Sequence, residues 1–207
     1  MREPLGFITL HDRFLHWLRK KNYSPGSISL YSYHLYDFFG WCAERSLMSP
    51  IEITMPIMRA YQAYIDARLT RKGTPLASGS KNRIGNSLIG FFNWVFREKL
   101  LLINPARAIV LPKMERKVQP ALTHEEVEEV MAKVDITTPA GVRNRAMLET
   151  LYSTGMRRKE LVSLTIDDLD FDRGLVFVRE GKGQKDRLIP IGERAVRWIE
   201  KYLIEAR

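Results

Sequence analysis

A chain of 207 residues is long enough for one or two domains with real cores, and 45% hydrophobic with 28% charged residues is ordinary globular usage, which excludes fibrous, disordered and disulfide-stapled classes. No apolar run approaches the roughly 18 residues of a membrane span, Met1-Arg2-Glu3-Pro4 does not read as a secretory signal, and a single Cys42 excludes an internal disulfide or a cysteine zinc cluster, so the expected compartment is a reducing cytoplasm. The net charge of +9 is uneven: residues 1–120 hold 18 Lys/Arg against 8 Asp/Glu, a net of +10, and residues 121–207 hold 15 against 16, a net of −1. That asymmetry argues for two domains, the first meeting a polyanion over a broad surface.

Helical periodicity opens the chain. Phe7, Leu10, Phe14, Leu15 and Leu18 mark a helix over residues 7–20. Ser24-Pro25 supplies an N-cap with proline at the first helical position, and Ile28, Tyr31, Leu35, Phe38, Phe39 and Cys42 carry the next helix. A third spans 54–69 with Ile57, Met58, Tyr61, Tyr64 and Ile65 inward, and Arg71-Lys72-Gly73-Thr74-Pro75 breaks it. A fourth spans 80–98 with Ile84, Leu88, Phe91, Phe92 and Val95 inward. Its first turn holds Lys81, Asn82 and Arg83; cations there oppose the helix dipole, so a phosphate contact explains them better than helix stability does. Aromatics at this spacing read as core and not as base-stacking platforms, and the four helices make a small bundle over residues 1–103.

Residues 104–121, with Asn104-Pro105, Leu111-Pro112 and Pro120, read as a proline-punctuated charged linker. It stops at Leu122-Thr123-His124-Glu125-Glu126, a capping box pairing Thr123 with Glu126. A fifth helix follows over 123–133 and a sixth over 141–153, with Met147, Leu148, Leu151 and Tyr152 at helical spacing. Gly155 is the residue that can take the left-handed stop of that helix. Arg157 then sits at a junction, ahead of a short helix bearing Leu161, Val162 and Leu164, with Glu160 three residues on to orient it. Residues 175–180 and 187–191 are β-rich and flank a turn, Gly181-Lys182-Gly183-Gln184-Lys185-Asp186, whose glycines let backbone approach a phosphate. Residues 193–205 form a last helix with Val196, Ile199, Tyr202 and Leu203 inward.

Several chemistries are excluded. Gly181-Lys182-Gly183 lacks the Gly-x-x-x-x-Gly-Lys-Ser/Thr register of a nucleotide P-loop, and His124-Glu125 has no second histidine four residues on for a zincin. The four histidines, His11, His16, His34 and His124, have no triad partner in the pattern and read as structural; no metal and no cofactor is expected.

Thr154-Gly155-Met156-Arg157-x-x-Glu160-Leu161, followed by Gly181-Lys182-Gly183-x-Lys185-x-Arg187 on a hairpin, resembles the tyrosine recombinase (phage integrase) family, particularly its Xer-like members, along essentially the whole chain. The resemblance implies a mainly α fold with a small β-hairpin or sheet: a four-helix SAM-like core-binding domain, then the first part of an α+β catalytic domain over 122–207, the linker letting the two close on duplex DNA. It implies Arg157 as the first catalytic arginine, Lys182 as the catalytic lysine that protonates the leaving 5′ oxygen, Glu160 in support, and Lys185 and Arg187 as phosphate contacts beside Lys81, Asn82 and Arg83. Such recombinases exchange strands through a 3′-phosphotyrosyl intermediate, need no cofactor and assemble as tetramers on DNA, whereas this chain is expected to be a monomer when free.

In the family a His/Lys-x-x-Arg, another His or Trp, and the nucleophilic Tyr follow. No histidine follows Arg157 here, and Tyr202 comes too early and on an inward helix face. The expectation is therefore a recombinase lacking its nucleophile-bearing part, an incomplete enzyme on its own; the alternative is a shortened, non-catalytic protein that occupies recombination half-sites.

Overall fold

The structure, a computed structural model, describes residues 6–114, 120–179 and 185–207. The chain divides into two compact units, 1–117 and 118–207. The tip of the expected hairpin, 180–184, which includes Lys182, lies outside the described residues.

Unit one is a bundle of α1 (Phe7–Lys20), α2 (Pro25–Ala43), α3 (Met55–Ala67) and α4 (Ser78–Arg97). The start of α2 follows from its sequence: the Ser24 hydroxyl accepts from the Ser27 N–H at 3.2 Å and Pro25 opens the helix. The core is aromatic. Phe14, Phe38, Phe91, Phe92 and Tyr61 are at most 1% exposed, Phe38 meets the Tyr61 ring edge-on at 4.8 Å and Phe14 meets Phe91 at 5.5 Å. Truncating one such ring to alanine costs about 3–5 kcal/mol, so the repeated aromatics are accounted for by packing alone. Two histidines sit in this core with hydroxyl partners, His34 on Ser87 at 2.8 Å and His11 on Ser32 at 3.0 Å. Burial lowers the His34 pKa. Tyr64, expected inward, is 44% exposed, while Tyr61 one turn earlier takes the core position and donates to Asp37.

Residues 104–112, read from sequence as the start of a linker, are packed onto unit one. Pro105–Ala108 form a 3-10 turn capped by the Asn104 side chain, with Ala106 and Ala108 buried. Gln62 then clasps both backbone groups of Val110, and Asn82 donates to the Pro112 carbonyl at 3.0 Å. The prolines break the helix without releasing the chain, because side-chain amides satisfy the peptide groups that a helix would have paired.

Unit two begins with α5 (His124–Ala132), whose capping box is formed: Glu126 N–H to the Thr123 hydroxyl at 3.2 Å, Thr123 N–H to the Glu126 carboxylate at 2.8 Å. Then come α6 (Pro139–Thr154), the short α7 (Arg158–Val162), strands β1 (Leu169–Asp170), β2 (Leu175–Val178) and β3 (Arg187–Pro190), and α8 (Glu193–Glu205). The strands form one antiparallel sheet in the order β1-β2-β3, with Val176 opposite Ile189 and Val178 opposite Arg187. Val176 and Val178 face a core shared with Ala146, Met156, Ala195 and Ile199. Tyr152 and Val162, expected on apolar faces, are 50% and 72% exposed; the Tyr152 ring stacks instead on His124 of α5.

Candidate functional site

Gly155 ends α6 at φ 61°, the left-handed conformation that only glycine takes without a Cβ penalty. Its N–H still caps the Leu151 carbonyl at 2.9 Å. The chain turns there, buries Met156 in the core and delivers Arg157 as the N-cap of α7. Arg157 is thereby fixed at its backbone and its side chain stays 56% exposed.

Glu160 is the centre of the site. Its side chain is 7% exposed, and both of its oxygens are occupied by arginines. The Arg157 backbone N–H reaches Oε2 at 2.9 Å and Arg157 Nη1 reaches Oε1 at 2.7 Å. Arg187, at the start of β3, sets its fork across the same carboxylate, Nη1 on Oε1 at 3.1 Å and Nη2 on Oε2 at 2.7 Å. Arg187 first, then the Arg157 N–H, hold the Glu160 carboxyl down at about 2, and the Glu160 bonds in turn raise the Arg187 pKa. The expected Arg157–Glu160 pair is therefore present, and no local motif announces that Arg187, 27 residues away, shares the same carboxylate.

Gly155, Arg157, Lys185 and Arg187 line an open cleft of roughly 370 Å³. All three of its side chains are cationic. A short-range donor set of this kind, in which Arg157 presents a planar fork and Lys185 a point charge, suits a tetrahedral or trigonal phosphorus oxyanion. On the far side of the hairpin, Arg179 Nε pairs with the buried Asp168 at 2.6 Å, and that bond, with the Thr165 N–H, lowers the Asp168 pKa. This pair ties the end of β2 to the 3-10 turn at Ile166–Asp168, and no local motif announces it.

The other expected contacts divide. Lys81 is 20% exposed along its side chain and spends its ammonium on the Asp66 carboxylate at 2.9 Å and the Asp66 carbonyl at 3.3 Å. Asn82 holds the Pro112 carbonyl. In the fold both side chains fasten α4 to its neighbours. Arg83 is exposed. Among the described residues no group of three or more His, Cys, Asp or Glu is placed to hold a metal ion, and no helix is long and apolar enough to cross a membrane.

Residues 120–207 match the model of the phage integrase family. Among curated proteins the chain is 41% identical over 186 residues to the tyrosine recombinase XerC 2 of Ralstonia nicotianae, covering 89% of this chain and 54% of the relative. It is 36% identical over 200 residues to the tyrosine recombinase XerD of Pseudomonas putida, covering 96% and 64%. Residues 120–207 carry a phage integrase domain, and the chain is similar along most of its length to Xer tyrosine recombinases. It spans between about half and two thirds of the length of these Xer relatives. Two solved structures share its mainly helical fold: the Tn1549 transposon integrase in complex with a circular intermediate DNA, at TM-score 0.68 and 16% identity over 96% of this chain and 66% of that one, and the XerH site-specific recombinase bound to a palindromic difH substrate, at TM-score 0.66 and 21% identity over 89% and 54%. In the structure, Arg157 and Glu160 fall at the junction just described, and Lys185 leads into β3, which begins at Arg187.

Proposed function

We propose that this chain acts in site-specific DNA recombination as part of a tyrosine recombinase, with unit one gripping duplex DNA and the Arg157 cleft receiving the phosphate at which a strand is cut. The observation that carries the reading is the cleft itself: three cations around one opening, with Arg157 held at its backbone by Glu160 and its guanidinium facing out. Attack on a phosphodiester builds negative charge on the non-bridging oxygens, and a preorganised guanidinium stabilises that charge without moving a proton. Its fork matches two such oxygens at once, which a lysine at that position cannot do.

Lys182 is the proposed proton donor to the leaving 5′ oxygen, on the strength of the Gly-Lys-Gly motif, since it lies outside the described residues. Lys185 contributes charge to the cleft without a partner that would spend it among the described residues. Tyr202 is not assigned as nucleophile, because it lies on α8, partly buried against the core of unit two. These residues supply the DNA grip and one part of the transition-state contacts, and the whole reaction belongs to a longer protein of the kind represented by the Xer relatives.

The test is DNA binding followed by fluorescence anisotropy from about 50 to 200 mM salt, where counterion release makes affinity fall steeply. Residues 1–117 should retain most of that response. A flat salt response, or binding confined to residues 118–207, contradicts the assignment. A duplex nicked near the exchange point should trap no covalent adduct with this chain, and an adduct at Tyr202 would overturn the register.

A further inference from the structure

A buried carboxylate has about four acceptor positions. Glu160 has four bonds, one from the Arg157 backbone, one from Arg157 Nη1, and two from the Arg187 fork. The two arginines therefore divide the work unequally. Arg187 commits both terminal nitrogens to Glu160 and is 37% exposed; Arg157 commits one and is 56% exposed, with Nε and Nη2 unpartnered among the described residues. A guanidinium that spans a carboxylate with both terminal nitrogens keeps only its Nε side for another anion, and much of its charge is already compensated.

From this geometry we infer that Arg187 is a positioning residue: it saturates Glu160 so that Arg157 keeps its fork and its charge for the anion in the cleft. This rests on the reading of Arg157 given above, and it replaces the expectation that Arg187 is itself a phosphate contact. The physical argument is a competition. With Arg187 removed, Glu160 has two empty acceptor positions in a nearly dry site, which is costly for a carboxylate. The Arg157 guanidinium is already bonded to it and can close the gap by turning to a bidentate pair. That pair is neutral, and its fork points at Glu160 instead of into the cleft. One carboxylate between two arginines leaves a net positive charge; one carboxylate against one arginine leaves none. Arg187 also ties β3 to the junction at the end of α6, so the same bonds fix the start of the strand that Lys185 leads into beside the cleft.

The competition sets a test with a signature that a phosphate contact cannot copy. In the 207-residue chain, arginine side-chain NMR reads the Arg157 guanidinium directly. In Arg187→Met its Nη protons should become more protected from exchange, as a second bond to Glu160 forms. In the double variant Glu160→Gln with Arg187→Met they should be no more protected than in the unaltered chain, because the competing charge is gone. Thermal unfolding of each variant verifies that unit two is folded, and Arg187→Lys, which keeps the charge without the fork, should fall between. In DNA binding, Arg187→Met should lower the slope of log affinity against log salt by about 0.9, the contact that Arg157 gives up, and the double variant should restore it, whereas a phosphate contact made by Arg187 itself would leave the slope lowered in both. An Arg157 signal indifferent to Arg187→Met, or a slope that stays lowered in the double variant, overturns the inference. If the unaltered chain shows no salt-dependent DNA binding, the functional proposal fails, and the NMR comparison still decides the role of Arg187.

Discussion

Arg194 of α8 donates from Nε to Oε1 of Glu149 of α6 at 2.8 Å, and the carboxylate it meets is only 3% exposed. The same guanidinium grips both oxygens of Glu128 on α5, at 2.6 and 3.0 Å, while Arg145 reaches Glu149 Oε1 at 2.9 Å. The bonds to Glu128, then Glu149, raise the Arg194 pKa further. One side chain thus ties three helices, and α5, which buries only Met131 of its own residues, depends on it most.

A buried ion pair is weak grounds for net stability, since desolvation offsets much of the attraction, but deleting one partner leaves a charge stranded. Arg194→Met should therefore destabilise unit two by about 2–3 kcal/mol, below the usual 3–5 because Arg145 still holds Glu149 and Arg194 is itself partly exposed. Arg194→Lys should recover little of this, having lost the fork. Urea unfolding reads it, and an unchanged midpoint for Arg194→Met would show that the network contributes nothing.

The Glu160 carboxyl, held at about 2 against an ordinary 4.5, makes unit two acid-sensitive in a defined window. A carboxyl whose pKa is depressed by folding stabilises the fold above its unfolded value and loses that contribution as pH falls through its folded value. Stability should thus drop between about pH 4.5 and pH 2 as the Arg187 and Arg157 bonds to it are lost. Asp168, lowered by Arg179, titrates in the same direction. Glu160→Gln should be less stable at neutral pH and should flatten this part of the profile. A profile identical to that of the unaltered chain would rule Glu160 out as the group responsible.

A Cβ added at Gly85 of α4 would lie 2.6 Å from Leu111 Cδ2 and 3.4 Å from Ile109 Cγ2. A methyl there requires the end of the Leu111 side chain to shift, which perturbs the packing of residues 109–112 on the helix. In a helix interior, glycine to alanine ordinarily gains about 0.5–1 kcal/mol, so the substitution sets helix stability against strap docking. Gly85→Ala should leave the melting temperature of unit one unchanged or slightly higher and speed tryptic cleavage after Lys113. Gln62→Ala, which removes the clasp on Val110, should speed that cleavage without the gain in stability. If Gly85→Ala lowers the melting temperature instead, the strap belongs to the cooperative core.

What the sequence made legible was whatever is encoded locally. Each long helix has its own apolar stripe and cap, and Gly155 followed by Arg157 is a stop and a start within three residues, so both could be read without knowing the fold. The second partner of Glu160 could not, because Arg187 lies 27 residues away and only the pairing of β2 with β3 brings it back. Lys81 with Asp66, and Gly85 with Leu111, are likewise contacts between segments far apart in the chain. Tyr152 and Val162 show the limit of periodicity: the spacing identifies a helix, while exposure depends on what else in the unit covers it. Strand β1, two residues long, carries too few residues to show an alternation.

Lys81 and Arg83 are two positions apart on α4, were equivalent as sequence, and differ in the fold, which makes them the most direct test of how unit one meets DNA. The Lys81 ammonium is bonded to the Asp66 carboxylate and carbonyl, and a phosphate would have to displace both. Arg83 is exposed. Each phosphate contact contributes about 0.9 to the slope of log affinity against log salt. Arg83→Ala should therefore reduce that slope by about one contact and weaken binding to all duplex sequences alike. Lys81→Ala should leave the slope nearly unchanged and lower the stability of unit one by less than about 1 kcal/mol, the range of partly exposed pairs. Running both variants with Lys81→Ala/Arg83→Ala separates the effects, since independent roles give additive changes. A Lys81→Ala slope reduced as much as that of Arg83→Ala would mean that DNA pulls Lys81 off Asp66, and that the first turn of α4 rearranges on binding.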